Sequence, residues 1–242
     1  MTSRPADDLP PHTVRVSERA RRVRLVVTSR EGLVVVVPKR FAASKVPEIL
    51  RSHAVWIERT LTRTAERRER HASLPTSPPP ERIELPGIGL SWRVVLRAGA
   101  GDGVRATVRD DELVLSGAVD DPAAVHDALR RAVGKAARER LPLMLGGVEA
   151  ETGWRAARVT IRRQRTRWGS CTSRAAISLN ESLVFLPPRL VRFVLIHELA
   201  HTERLDHSPA FWALVERFDA RWREARRELR DGWRHVPAWA EP

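Results

Sequence analysis

The chain has 242 residues, 42% of them hydrophobic and 30% charged, a balance that excludes a wholly disordered chain and allows one large domain or two small ones. Its 43 basic and 30 acidic residues leave a formal charge of +13, but only Lys39, Lys45 and Lys135 are lysines. The excess is therefore a bias toward arginine spread over the whole chain, which predicts non-specific polyanion affinity rather than a selected phosphate-binding patch. Apolar runs such as 33–37 fall far short of the ~20 residues of a membrane-spanning helix, and a single cysteine, Cys171, excludes an internal disulfide.

In chain order, residues 1–11 are polar, acidic and proline-bearing, and read as a disordered lead-in. With no apolar core of a secretory signal there, the expected location is cytoplasmic. Residues 12–73 read as a β-hairpin followed by a helix. Val23, Leu25 and Val27 alternate with Arg22 and Arg24, and the run GLVVVVP supplies the second strand. From Ser44 the apolar spacing becomes helical, with Val46, Ile49, Leu50, Ile57 and Leu61 on one stripe. This predicts one amphipathic helix of roughly 25 residues that ends in the charged run AERRERH, a solvated face. Residues 74–81, LPTSPPPE, are too rich in proline for regular structure and read as a linker.

Residues 82–118 contain short β-like pieces at 82–85, 90–96, 104–108 and 113–115, broken by glycines and by Asp110-Asp111, and predict a small sheet. Residues 119–242 form the last region. Asp121-Pro122 is a helix start, and Gly146-Gly147 is the expected stop. A strand at 159–165, a turn at WGSCTS and a strand at 176–180 follow. Pro187-Pro188 then opens a helix that is apolar nearly all round, hence deeply buried.

That buried helix contains His197, Glu198 and His201 in the pattern H-E-x-x-H. Histidines four apart share one helix face, so two imidazoles can hold one metal ion, with the glutamate beside its open position. One zinc ion is the natural occupant, because two histidines and a glutamate in an apolar helix each need a buried partner. His207 follows six residues after His201, where the chain can turn back and present a third imidazole. Glu216, Glu224 and Glu228 are the other candidates for that third position. Ser208-Pro209 reads as the N-cap and first turn of a helix with Phe211, Trp212, Val215 and Phe218 on its apolar side.

This constellation predicts metal-assisted hydrolysis, with Glu198 as the base that takes a proton from water. The developing oxyanion needs a second electrophile, and since the chain has no tyrosine the candidates are Arg165, Arg167, Asn180 and His235. Trp168, Gly169 and Ser170 form a tight turn that either shapes the cleft or packs as structure. Cys171 reads as a small buried hydrophobe.

The stretch 165–218, together with the hairpin RARRVRLVV and the segment SHAVWIERT, resembles the YgjP-like family of zinc metallopeptidases, relatives of the SprT-like and other short zincins. The resemblance spans most of the chain, so residues 12–235 could count as one family domain. It implies an α+β fold with a zincin-like core, His197, His201 and His207 as metal ligands, Glu198 as catalytic base, and AAISLN as the strand bordering the cleft. Arg204 stands where metzincins have glycine, and no methionine follows the motif, so the chain is not expected to be a metzincin. A lone cysteine excludes the cysteine zinc ribbon of some SprT-like proteins. The expected activity is zinc-dependent cleavage of a peptide or protein substrate. Two other classes stay open: a metal-dependent nucleotide or phosphoanhydride hydrolase, and a nucleic-acid-associated module with non-catalytic zinc.

Overall fold

A computed structural model describes residues 9–18, 20–28, 32–73, 78–99 and 103–241. Most of the 1–11 lead-in and half of the 74–81 segment lie outside these residues, as do the side chains of 66–71 in the charged run. Among the described residues, six α-helices and three small sheets make an α+β chain. No helix among them is long and apolar enough to cross a membrane. The chain divides into two compact units, Met1–Ser73 and Leu74–Pro242.

In the first unit, β2 (Arg24–Thr28) and β3 (Gly32–Pro38) pair antiparallel as the alternation requires. A further strand, β1 (His12–Ser17), pairs parallel with β3, giving the order β1-β3-β2. Almost every residue of β1 is exposed, so it carries no burial pattern by which to read it. Leu33, Val35 and Val37 pack with Val46, Leu50 and Ile57 into a small core. The helical stripe is split into α1 (Val46–Ser52) and α2 (Ala54–Ser73). The break has a local cause: Ser52 Oγ donates to Ile49 O at 2.9 Å and His53 Nδ1 lies 3.0 Å from the same carbonyl, so side chains compete with the helix ladder there.

In the second unit, β4 (Arg82–Leu85), β5 (Leu90–Ala98), β6 (Val104–Arg109) and β7 (Glu112–Gly117) form a sheet of order β4-β5-β7-β6. Helix α3 (Pro122–Thr152) packs on it, with the Asp121 carboxylate accepting from the backbone N–H groups of Ala123 and Ala124. The expected stop at Gly146-Gly147 is overturned: α3 runs through both glycines to a left-handed cap at Gly153 (φ +79°). Two interior glycines cost about 1 kcal/mol each, and burying Leu145 and Val148 returns about 1.5–3 kcal/mol per side chain, so burial prevails.

A three-stranded sheet follows, formed by β8 (Arg158–Arg162), β9 (Gly169–Cys171) and β10 (Ala176–Asn180) in the order β8-β10-β9. Two expectations change here. Residues 169–171 are a strand rather than part of a turn, because they pair antiparallel with β10. And β10, the strand AAISLN, is central, while β9 is the edge strand that packs on the next helix. That helix is α4 (Pro188–Glu203), followed by α5 (Pro209–Phe218) and α6 (Trp222–Leu229). Leu113 and Leu115 of the four-stranded sheet, Leu129 and Leu141 of α3, Leu179 of β10 and Leu195 and Leu199 of α4 belong to one continuous core.

Candidate metal centre

Helix α4 starts at the proline pair and buries Leu190, Val191, Phe193, Val194, Leu195 and Ile196 before its polar residues arrive. Its last turns place His201 Nε2 3.2 Å from His197 Nε2. The helix ends at Arg204, whose extended backbone (φ −148°, ψ 118°) breaks the ladder, and the chain turns back through Asp206. The Asp206 carboxylate accepts the Ser208 backbone N–H at 3.2 Å, and α5 begins at Pro209. Ser208 holds the N-cap position, although its side chain makes no capping bond. This turn brings His207 Nε2 to 3.1 Å from His197 Nε2. The fully buried Phe211 ring of α5 stands 4.5–5.0 Å, centroid to centroid, from all three imidazoles and walls them on one side.

The protonation states suit a cation. His201 Nδ1 lies 3.0 Å from the Arg204 carbonyl, which can only accept, so Nδ1 donates there and Nε2 is the ring nitrogen left to face a metal. Burial, then the neighbouring His201 and His207 and finally Arg226, push His197 down to about 3, so it is neutral. Burial likewise lowers His207, aided by His201 and Arg226 and opposed by Asp206. Burial pushes Glu198 up to about 8, with Arg167 acting in the opposite sense. His197 Nδ1 and Glu198 Oε2 are buried without a hydrogen-bond partner. A tetrahedral zinc with nitrogen ligands at about 2.0–2.1 Å needs those nitrogens about 3.3 Å apart. The three histidines fit that demand, with ligand atoms all within 4.8 Å of one another, and a cation there would offset the burial cost of the Glu198 carboxylate.

His197, Glu198 and His207 open on a cavity of about 390 Å3. Gly169 of β9 floors it under Glu198: a Cβ there would stand 2.6 Å from Glu198 Oε1 and 2.7 Å from Cγ, so only glycine admits this packing. Trp168 also lines the cavity and stacks on Trp233, centroids 4.5 Å apart, so it is both wall and structure.

The other expected residues separate clearly. Arg167 lines the cavity, and Arg165 and His235 do not. Asn180 is fully committed elsewhere: its Nδ2 donates to Gln164 O at 2.8 Å and Arg167 O at 2.7 Å, and its Oδ1 accepts the Ser182 N–H at 3.0 Å. It shapes the loop between β8 and β9 and has no donor left for a substrate. Glu216 and Glu228 are engaged by Arg223 and Arg189, and Glu224 contributes no atom to the histidine group. Cys171 is half-buried, with burial and the Glu198 charge pushing its thiol up to about 11, so it stays protonated at neutral pH. Arg226 of α6, which the sequence pattern does not single out, also lines the cavity. Among so many arginines no local pattern distinguishes it.

A sequence model of the YgjP-like metallopeptidase domain matches residues 21–232, most of the chain. No curated protein and no solved structure matches it.

Proposed function

The chain belongs to the YgjP-like metallopeptidase family, and from that premise we propose that it is a zinc-dependent peptidase with His197, His201 and His207 holding one ion and Glu198 serving as its base. The observation that carries this reading is the convergence of three imidazoles, their Nε2 atoms turned toward one another, beside a buried carboxyl group whose Oε2 has no hydrogen-bond partner. Bound zinc supplies Lewis acidity that makes water nucleophilic near neutral pH.

The chain's own residues do the rest. Glu198, held over Gly169, takes a proton on a carboxylate oxygen as the water oxygen bonds to the scissile carbonyl carbon. It passes that proton to the departing amine nitrogen as the C–N bond breaks. Arg167, one of two guanidiniums lining the cavity and the one whose charge acts on Glu198, meets the negative charge that grows on the carbonyl oxygen. Phe211 keeps the imidazoles in place, and the apolar wall of Phe193 and Val194 limits water.

The test is metal content per chain by elemental mass spectrometry on wild type and His207→Ala, followed by assay of casein and peptide libraries beside a nucleotide panel. Near-stoichiometric zinc lost in the variant, with peptide-bond cleavage, is the expected result. Zinc with phosphate or pyrophosphate release and no peptide cleavage overturns it in favour of a phosphoanhydride hydrolase. No zinc after reconstitution overturns the metal centre itself.

A further inference from the structure

Two of the three arginines of helix α6, three residues apart, differ in their surroundings. Arg223 lies over the Trp222 ring, 4.4 Å from its centroid, and donates to Glu216 Oε1 at 2.6 Å. Arg226 lies over the Trp212 ring at 4.7 Å, and no carboxylate among the described residues meets it. The two indoles stack on each other at 4.2 Å and 10°, so both guanidiniums rest on one rigid aromatic pair. Nearby Arg189 and Arg192 are also paired, with Glu228 and Glu151. Arg226 is the one that faces the cavity, and its charge acts on both His197 and His207.

A guanidinium packed on an indole has given up much of its rotamer freedom before a ligand arrives, and it keeps its in-plane N–H donors for a planar acceptor. Among the described residues, Glu198 is the only acidic side chain lining the cavity. We infer that Arg226 is a specificity-determining residue: it receives a carboxylate carried on the substrate residue next to the scissile bond, so that the enzyme favours acidic peptides. This rests on the peptidase reading above. A single carboxylate on an aliphatic stem suits the site better than a polyphosphate does. Polyphosphates call for clustered donors, whereas here one guanidinium stands by the histidines, the other by Glu198, and Phe193, Val194 and Leu229 make the wall apolar.

The test uses the zinc-loaded full chain and a matched pair of dipeptide hydroxamates that differ only in glutamyl against glutaminyl at the residue beside the hydroxamate, with affinities read by calorimetry. Wild type is expected to bind the glutamyl compound about tenfold more tightly, a preference that weakens as salt is raised. Arg226→Gln is expected to lose the preference with zinc content and circular dichroism unchanged, Arg226→Lys to keep part of it, and Arg223→Gln to keep it whole. Equal affinities in wild type, a preference that survives Arg226→Gln, or tighter binding of inorganic pyrophosphate than of either hydroxamate overturns the inference and leaves the metal centre standing. If neither hydroxamate binds a protein that holds zinc, the peptidase reading itself falls and the inference falls with it.

Discussion

Gly169 and Glu198 are in such close contact that the Glu198 side chain takes the space a Cβ on Gly169 would fill, with the Glu198 Cδ 2.8 Å from that point. The carboxyl group is thereby pressed between a strand and its own helix α4. A group that must meet a reacting water within hydrogen-bond reach gains from such confinement, because its rotamer is set before substrate arrives.

Gly169→Ala is therefore expected to displace Glu198 rather than the strand, since a side-chain end yields more easily than a paired backbone. Peptide hydrolysis should fall by about 100-fold or more, with zinc content unchanged. Steady-state kcat/KM and metal content measured on one preparation check this. A fully active Gly169→Ala enzyme would show that the carboxyl position set by β9 is not needed.

Glu198→Gln keeps the shape of the side chain and removes its ability to take a proton. It should bind zinc like wild type and lose about 10²–10⁴-fold in kcat. Retention of full activity with zinc bound would sink the assignment of Glu198 as the base.

His207 is the exposed member of the histidine group, and His201 the buried one tied to the Arg204 carbonyl. His207→Ala should leave the Tm of the zinc-free protein nearly unchanged while sharply weakening zinc binding. In wild type, zinc at about 100 times its Kd should add about 2.7 kcal/mol of stability, an increment that His207→Ala reduces at the same zinc concentration. Thermal melts with and without a chelator decide the matter, and an equal zinc increment in both proteins would remove His207 from the site.

Phe211 packs against all three imidazoles and is fully buried. Phe211→Ala should cost about 3–5 kcal/mol of stability. The milder Phe211→Leu should fold and yet bind zinc less tightly, because the rings lose their wall. Denaturant unfolding and competition with a chromophoric chelator measure the two effects separately.

Gly146 and Gly147 sit inside α3 with open space where each Cβ would go. Replacing each with alanine should stabilise the protein by about 0.5–1 kcal/mol, and the pair should raise Tm by a few degrees. Gly153→Ala should do the reverse, since its φ of +79° is the left-handed cap that ends the helix. Tm values of the three variants suffice, and a destabilised Gly146→Ala would contradict the helical geometry at that point.

Local geometry made much of the chain legible. The alternation of residues 23–27 and the run at 33–37 specify paired strands, the proline pair at 187–188 starts α4, and a four-residue spacing by itself puts His197 and His201 on one helix face. The family resemblance, read from the stretch 165–218 and the N-terminal segments, agrees with the match over 21–232.

What local pattern could not decide depended on residues far apart in sequence. Gly146-Gly147 obeys the rule for a helix stop, and only the core around Leu145 and Val148 shows why the helix continues. Asn180 is a free amide on paper, and only the folded loop reveals that the carbonyls of Gln164 and Arg167 already use it. Arg226 resembles every other arginine until α6 packs on α5 and lays it over Trp212 at the cavity. The physical reason is one of range. Helix and strand periodicity is set by neighbouring backbone dihedrals, so the candidate ligands can be read along the chain. Which polar groups remain unsatisfied at a cavity wall is settled by tertiary contacts, which no short-range pattern encodes.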